Sequence, residues 1–168
     1  MASRLFVTEE ECATLKVCTD RVHLRTDERL QLIDVTELVR ERVRRSGVLH
    51  GLACVQTHHT TTAVLVNENE PLLIEDVKRA LERLAPRDVL YAHDDFARRP
   101  GIPPDESRNG DAHCKAILLG ASECLAIVGG TLQLGPWQSL FLAELDGPRE
   151  RTFSVVVMGS AIASGARP

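Results

Sequence analysis

Residues 58–71 read HHTTTAVLVNENEP. Two imidazoles and three threonines lead into Ala63–Val66, which is too short and too β-branched for a helix and reads as a buried strand. Asn67, Glu68, Asn69 and Glu70 close it. Pro71 then suits the first turn of a helix, where its missing N–H has no intrahelical partner to lose. Polar groups at both ends of one apolar strand can converge on a pocket, so the stretch has the form of a site as well as of a core element.

On its N-terminal side, Gly51–Thr57 reads as a strand running directly into it. Further back, Ala13–Thr19 alternates apolar and polar residues as an amphipathic strand does, and Gln31–Ile33 is expected to continue the same sheet. Between them and Gly51, Asp34 with Glu37 has the spacing of a capping box. Val35, Leu38, Val39 and Val43 form a helical stripe that Gly47 is placed to stop. Arg40, Arg42, Arg44 and Arg45 fall opposite the stripe and read as a solvated face.

On the C-terminal side, Leu73, Val77, Ala80, Leu81 and Leu84 mark a second amphipathic helix ended by Pro86. Asp88–Arg108 has no periodicity; loops of that length in a small domain are usually functional or disordered. A third helix is expected over Asn109–Leu119, stopped at Gly120. Asn109 and His113 are four apart and share a face. Asp111 and Lys115 share another, so Lys115 reads equally as half of a surface ion pair or as a ligand contact. Cys124–Val128 and Thr131–Leu134 flank Gly129–Gly130 as a hairpin. Trp137–Leu145 and Thr152–Met158 suggest a second one through Asp146–Arg149, and Ser160–Pro168 reads as a fraying tail. The expected class is α+β: one domain over residues 1–168, largely antiparallel sheet with about three helices.

Composition narrows the function classes. The chain has 168 residues, 43% hydrophobic and 26% charged, with a net charge of −4. That describes an ordinary soluble domain with a core of its own. Without a basic run, nucleic-acid binding is not expected. Residues 1–20 carry no apolar leader-like run and no stretch approaches a membrane span, so a cytoplasmic protein is expected. The five cysteines form no C-x-x-C pair and read as reduced and structural.

Three of the six histidines, His59, His93 and His113, adjoin polar or turn-forming residues rather than apolar runs. Three imidazoles and an open position are a known catalytic zinc arrangement. Their spacings of 34 and 20 residues match no local metal motif, so scattered structural histidines remain the competing reading. His58 and His59 are adjacent and should point to opposite faces, so only one can join. Glu68, Asp94 and Asp95 are candidate acid–base groups. Thr60, Thr61 and Thr62 either bind a phosphate or satisfy strand ends. Trp137 reads as a core or interface anchor, with Gln138 beside it able to bond a ligand.

Four ordered motifs then carry a resemblance: His59–Asn69 (HTTTAVLVNEN), Tyr91–Phe96 (YAHDDF), Asn109–Gly120 (NGDAHCKAILLG) and Gly135–Gln138 (GPWQ). Over about residues 12–159 the chain resembles the YjbQ-like family, whose members are often labelled secondary thiamine-phosphate synthase. The resemblance implies a compact α+β domain that assembles as a homotrimer. It implies a site, between subunits, gathering His59, His93 and His113 on a metal or anion. Asn67, Glu68, Asn109, Lys115, Trp137 and Gln138 match further motif positions. Gly135-Pro136-Trp137-Gln138 departs from the family, which usually carries Thr or Arg before the Trp; Pro136 removes a backbone donor and a side chain there.

Imidazole ligands favour zinc, whereas joining a pyrophosphate to a second phosphate ester calls for magnesium held by oxygens, so magnesium is the second expectation. Together these expectations describe an enzyme on a small phosphorylated molecule. His59, His93 and His113 would hold the metal, Glu68 or Asp94 would act as base, and Asn67, Asn109, Lys115, Trp137 and Gln138 would contact the ligand. The alternative is a trimeric module that binds metal and anion without turnover.

Overall fold

The computed structural model describes residues 14–161. Eight strands and three helices alternate along them: β1 (Thr14–Arg25), β2 (Gln31–Asp34), α1 (Thr36–Ser46), β3 (Val48–Thr57), β4 (Thr62–Glu68), α2 (Pro71–Leu84), α3 (Gly110–Leu119), β5 (Ser122–Val128), β6 (Thr131–Leu132), β7 (Gln138–Glu144) and β8 (Glu150–Ala161). They build two antiparallel sheets, one ordered β1-β8-β3-β5-β6 and the other β2-β7-β4. The α+β class and the strand at 63–66 are as expected. Ala13 and the tail beyond Ala161 lie outside the described residues, and Ser160 belongs to β8 rather than to a tail.

The three-stranded sheet is the middle layer, which explains why β7 is buried on both faces from Leu140 to Glu144. Alternation sorts its side chains. Leu140, Leu142 and Val64 face the larger sheet and meet Val55, Phe153 and Val155 there, with α1 adding Val39 and Val43 and its N-cap residue Val35 joining them. Ala63, Ala143 and Leu145 face the other way, onto Ala112 and Ala116 of α3 and Leu81 of α2. Alanines on both sides let α3 lie close to the sheet, which brings its histidine to the strand ends.

Two expectations about pairing fail. β2 does not continue β1's sheet; it pairs with β7, Ile33 opposite Leu142. Nor do β7 and β8 form a hairpin. β7 lies between β2 and β4, whereas β8 lies between β1 and β3, so Leu145–Arg149 is a crossover between layers. Gly147 makes the crossing possible, since a Cβ there would stand 2.3 Å from the Glu28 carbonyl oxygen. The Gly129–Gly130 hairpin does form, with a β6 of only Thr131–Leu132.

Helix starts differ in detail. Asp34 accepts from Thr36 N at 2.8 Å, but Glu37 bonds Arg40 instead of reaching back, so no capping box forms. Gly47 ends α1 with φ 69°, as expected. Glu70 caps α2 by accepting from Leu72 N and Leu73 N at 2.9 and 2.7 Å.

Candidate functional site

Loop 88–108 makes two short 3-10 turns, Ala92–Asp94 and Phe96–Arg98, and docks against α3. The tie is Asp94, whose Oδ1 accepts from Asn109 N and Gly110 N at 3.0 Å each. A carboxylate on the first amides of a helix meets orphan donors and the positive end of the dipole. Gly110 allows the approach, because a Cβ there would meet Tyr91 Cβ at 2.5 Å. Asp94, expected as acid or base, therefore holds the loop to the helix.

That tie places His93 on His113. Their ring centroids are 4.6 Å apart with planes at 61°. His93 Nε2 is buried without a hydrogen-bond partner, as is Oδ1 of Asn109. A buried polar atom left without a partner costs about 1–3 kcal/mol. Burial, then the neighbouring His93, holds His113 below its ordinary pKa, so it stays a neutral imidazole with a lone pair to offer.

Around these groups lies a cleft of about 430 Å³, lined also by Thr60, Thr61, Arg99, Glu106, Asp146, Arg149 and Arg151. Its cations are already engaged. Arg151 grips the fully buried Glu144 at 2.6 and 2.5 Å and reaches Thr61 Oγ1 at 3.0 Å. Arg149 meets Asp146 at 2.8 Å, and Arg99 lies 3.7 Å from Glu106. Asp146 also binds Arg29 at 2.7 Å; Arg29 binds Asp111 at 2.9 Å, and Asp111 binds Lys115 at 2.9 Å. Burial would raise the Asp146 pKa, but the Asn109 bond and the Arg149 and Arg29 charges together carry it below the ordinary value. The result is a heavily ion-paired wall with two buried polar atoms, His93 Nε2 and Asn109 Oδ1, that have no partner among the described residues.

His59 stands beside this cleft. It shares with His113 a groove of about 370 Å³ that Thr60, Ala116 and Gly120 also line. Its Nε2 accepts from Thr152 N at 2.8 Å, which assigns the ring proton to Nδ1. To act as a ligand through Nε2, His59 has to exchange that bond. Burial and then Arg151 push its pKa down, against a smaller upward pull from Glu144. His58 turns elsewhere, to Ser154 Oγ at 2.8 Å. Among the described residues no three His, Cys, Asp or Glu side chains are already arranged around one metal position. The donor set nevertheless suits a divalent transition metal: two adjoining imidazoles and an orphaned amide oxygen.

The remaining expected residues lie elsewhere. Lys115 is 1% exposed, is absent from the cleft lining, and bonds Glu82 at 2.5 Å as well as Asp111, so it is neither a surface pair nor a residue of this cleft. Thr61 and Thr62 are buried and bonded to Arg151 and Thr57 respectively, which leaves Thr60 as the exposed threonine. Asn67 and Glu68 pair with Ser139 and Gln138 at the other end of β4. Gln138 Oε1 accepts from Gly135 N at 2.8 Å, and Trp137 is 74% exposed beside it. β4 spans seven residues, about 20 Å, so one chain carries the expected site as two separated halves. Glu144, Asp146, Arg149 and Arg151 escaped the sequence reading; the signal available was a cluster of charges flanking Gly147-Pro148 after an apolar strand.

Fold and site together define a small two-sheet α+β protein whose longest loop is clamped to a helix to bring two histidines into contact. A family model described as "UPF0047 protein YjbQ-like" matches residues 20–160. A UPF0047 protein of Methanothermobacter thermautotrophicus is 39% identical over 145 residues, covering 86% of this chain and 94% of its own length. The UPF0047 protein YugU of Bacillus subtilis is 31% identical, with 82% and 97% covered. Among solved structures, a YbjQ-like protein of unknown function from Sulfolobus solfataricus superposes with a TM-score of 0.78 at 31% identity, over 88% of this chain and all of its own. A hypothetical protein from Aeropyrum pernix gives 0.75 at 36% identity, with 84% and 98% covered. The chain belongs to the UPF0047 YjbQ-like family.

Proposed function

We propose that the chain is a metal-dependent enzyme acting on a small phosphorylated molecule, with His93 and His113 as ligands and His59 as the third. The observation that carries this reading is the contact of two imidazoles in a cleft where His93 Nε2 and Asn109 Oδ1 are buried and lack a partner among the described residues. A bare anion would not satisfy Asn109 Oδ1, because a carbonyl oxygen needs a cation or a hydrogen-bond donor. Zinc suits imidazole better than magnesium does. Bound there, such an ion would polarise a phosphoryl or carbonyl oxygen, or supply an activated water. The chain's own part is to hold the His59 and His113 imidazoles neutral, keep the wall rigid through its arginine–carboxylate pairs, and offer the Thr60 hydroxyl at the rim. A weak thiamine-phosphate synthase-like transfer is one reaction within this class.

The proposed assembly is a homotrimer, as the resemblance implies. Its support is the division of the motif residues: Glu68, Asn67, Trp137 and Gln138 can join the histidines only from another copy. Ile117 at the histidine end is 83% exposed, and Trp137 at the other end 74%, which suits both ends to being covered.

A second reading, a binding module without turnover, is favoured by one observation. Of the carboxylates at and around the cleft, Asp94 caps a helix, Asp146 and Glu144 are locked to arginines and Glu106 lies 3.7 Å from Arg99, which leaves Asp105 at the exposed rim. Order-of-addition calorimetry separates the readings. Inorganic phosphate should bind the zinc-loaded protein and not the metal-free one; phosphate binding that ignores metal overturns both. Phosphorylated compounds recovered intact from the loaded protein select the module.

A further inference from the structure

Asn109 occupies the N-cap of α3 without capping it. Asparagine at that position normally bonds the first amides of its own helix. Here the Asn109 side chain makes no cap bond and turns outward, while Asp94 serves the Asn109 and Gly110 N–H groups. Its Nδ2 donates to Asp146 Oδ2 at 2.9 Å, and its Oδ1 is left buried without a partner in a residue only 7% exposed. Asp146 is itself immobile: Arg29 holds one oxygen at 2.7 Å, while Arg149 and Ser107 hold the other at 2.8 and 3.2 Å.

An ionised carboxylate only accepts hydrogen bonds. It therefore tolerates the NH₂ end of the Asn109 amide and repels the carbonyl end, so the carbonyl must face away from Asp146. We infer that Asp146 is a positioning residue, which fixes the direction of the Asn109 amide and so makes this wall of the cleft an acceptor for a divalent cation. The inference rests on the metal reading above and adds what selects a cation there.

Cobalt(II) is the probe, followed by its d–d absorption and by calorimetry on the full chain. Asp146→Asn keeps the shape of the side chain but gives it an NH₂ group that can donate to Asn109 Oδ1 and turn the amide round. Cobalt affinity should fall about 10- to 100-fold. Combining Asp146→Asn with Asn109→Asp restores the hydrogen bond with its donor and acceptor exchanged, again leaving an oxygen toward the cleft. Affinity should then return to within about threefold of wild type, a rescue that a merely structural role for Asp146 would not give. Glu82→Gln, at the far end of the same ionic chain, should leave cobalt binding unchanged. If wild type binds cobalt and Asp146→Asn binds it equally well, this inference is wrong and the metal reading stands. If wild type binds no cobalt, both fall. Should Asp146→Asn alone fail to fold, the double variant decides: folded without cobalt affinity, it overturns the inference.

Discussion

His93 lies on His113 because Asp94, the next residue, is fastened to the two backbone amides that open the helix carrying His113. The imidazole contact is thus built by a helix cap, and the loop's position depends on one carboxylate.

Replacing that carboxylate should show both effects. Asp94→Ala is expected to lower stability by about 1 kcal/mol in urea melts, the usual worth of a cap. It should also weaken metal binding, by releasing His93. A variant with unaltered stability but no turnover would instead return Asp94 to the acid–base role.

Arg151 and Glu144 form a pair with side chains 5% and 0% exposed. Removing one partner of a buried pair strands the other charge. Arg151→Ala should therefore cost about 3–5 kcal/mol. Equilibrium denaturation with urea measures it, and a cost below about 1 kcal/mol would mean that the pair is solvated.

Lys115 separates stability from binding. Its amine is buried against Asp111 and Glu82 and lies outside the cleft lining. Lys115→Ala should destabilise by about 3 kcal/mol and leave the zinc affinity of the folded fraction as it was. A selective loss of phosphate binding would reinstate Lys115 as a ligand contact.

Acid should weaken the metal-free fold. His59 and His113 both have pKa values held below the ordinary 6.5. The unfolded chain then binds more protons than the folded one in that region, so stability rises with pH there. Their contribution is complete above about pH 6.5 and is lost as pH falls toward the lowered folded values. Asp34 and Asp146, also held low, add their own loss only as pH falls below their ordinary value of 3.8. Urea midpoints at about pH 7.5 and about pH 5.5 should differ in chelator-treated protein, and less so in His113→Gln.

The elements themselves were legible because each is coded locally. The run Ala63–Val66, the stripe of α1 and the Gly47 stop need no distant partner to be recognised. Sheet membership was not legible. Asp146–Arg149 has the composition of a hairpin turn, and only the packing of Leu145 under α3 and of Gly147 against Glu28 shows it to be a crossover. The site divides in the same way. His93, His113 and Asn109 were named in advance from motif and helix spacing. The clamp that orients them was not, since Arg29 reaches Asp146 across 117 positions and Arg151 reaches Thr61 across 90. A charged residue bound for a buried ion pair looks the same in sequence as one bound for solvent.

The most direct test is metal content, measured by elemental analysis on protein purified without a histidine tag, beside His59→Ala, His93→Ala and His113→Ala. About one zinc or neighbouring transition-metal ion per chain is expected. The metal should be lost in His93→Ala and His113→Ala with helix and strand content unchanged, and weakened or lost in His59→Ala. Wild-type protein that holds no metal and takes none up from a zinc solution would contradict it, and the histidines would then be proton carriers or parts of an anion site.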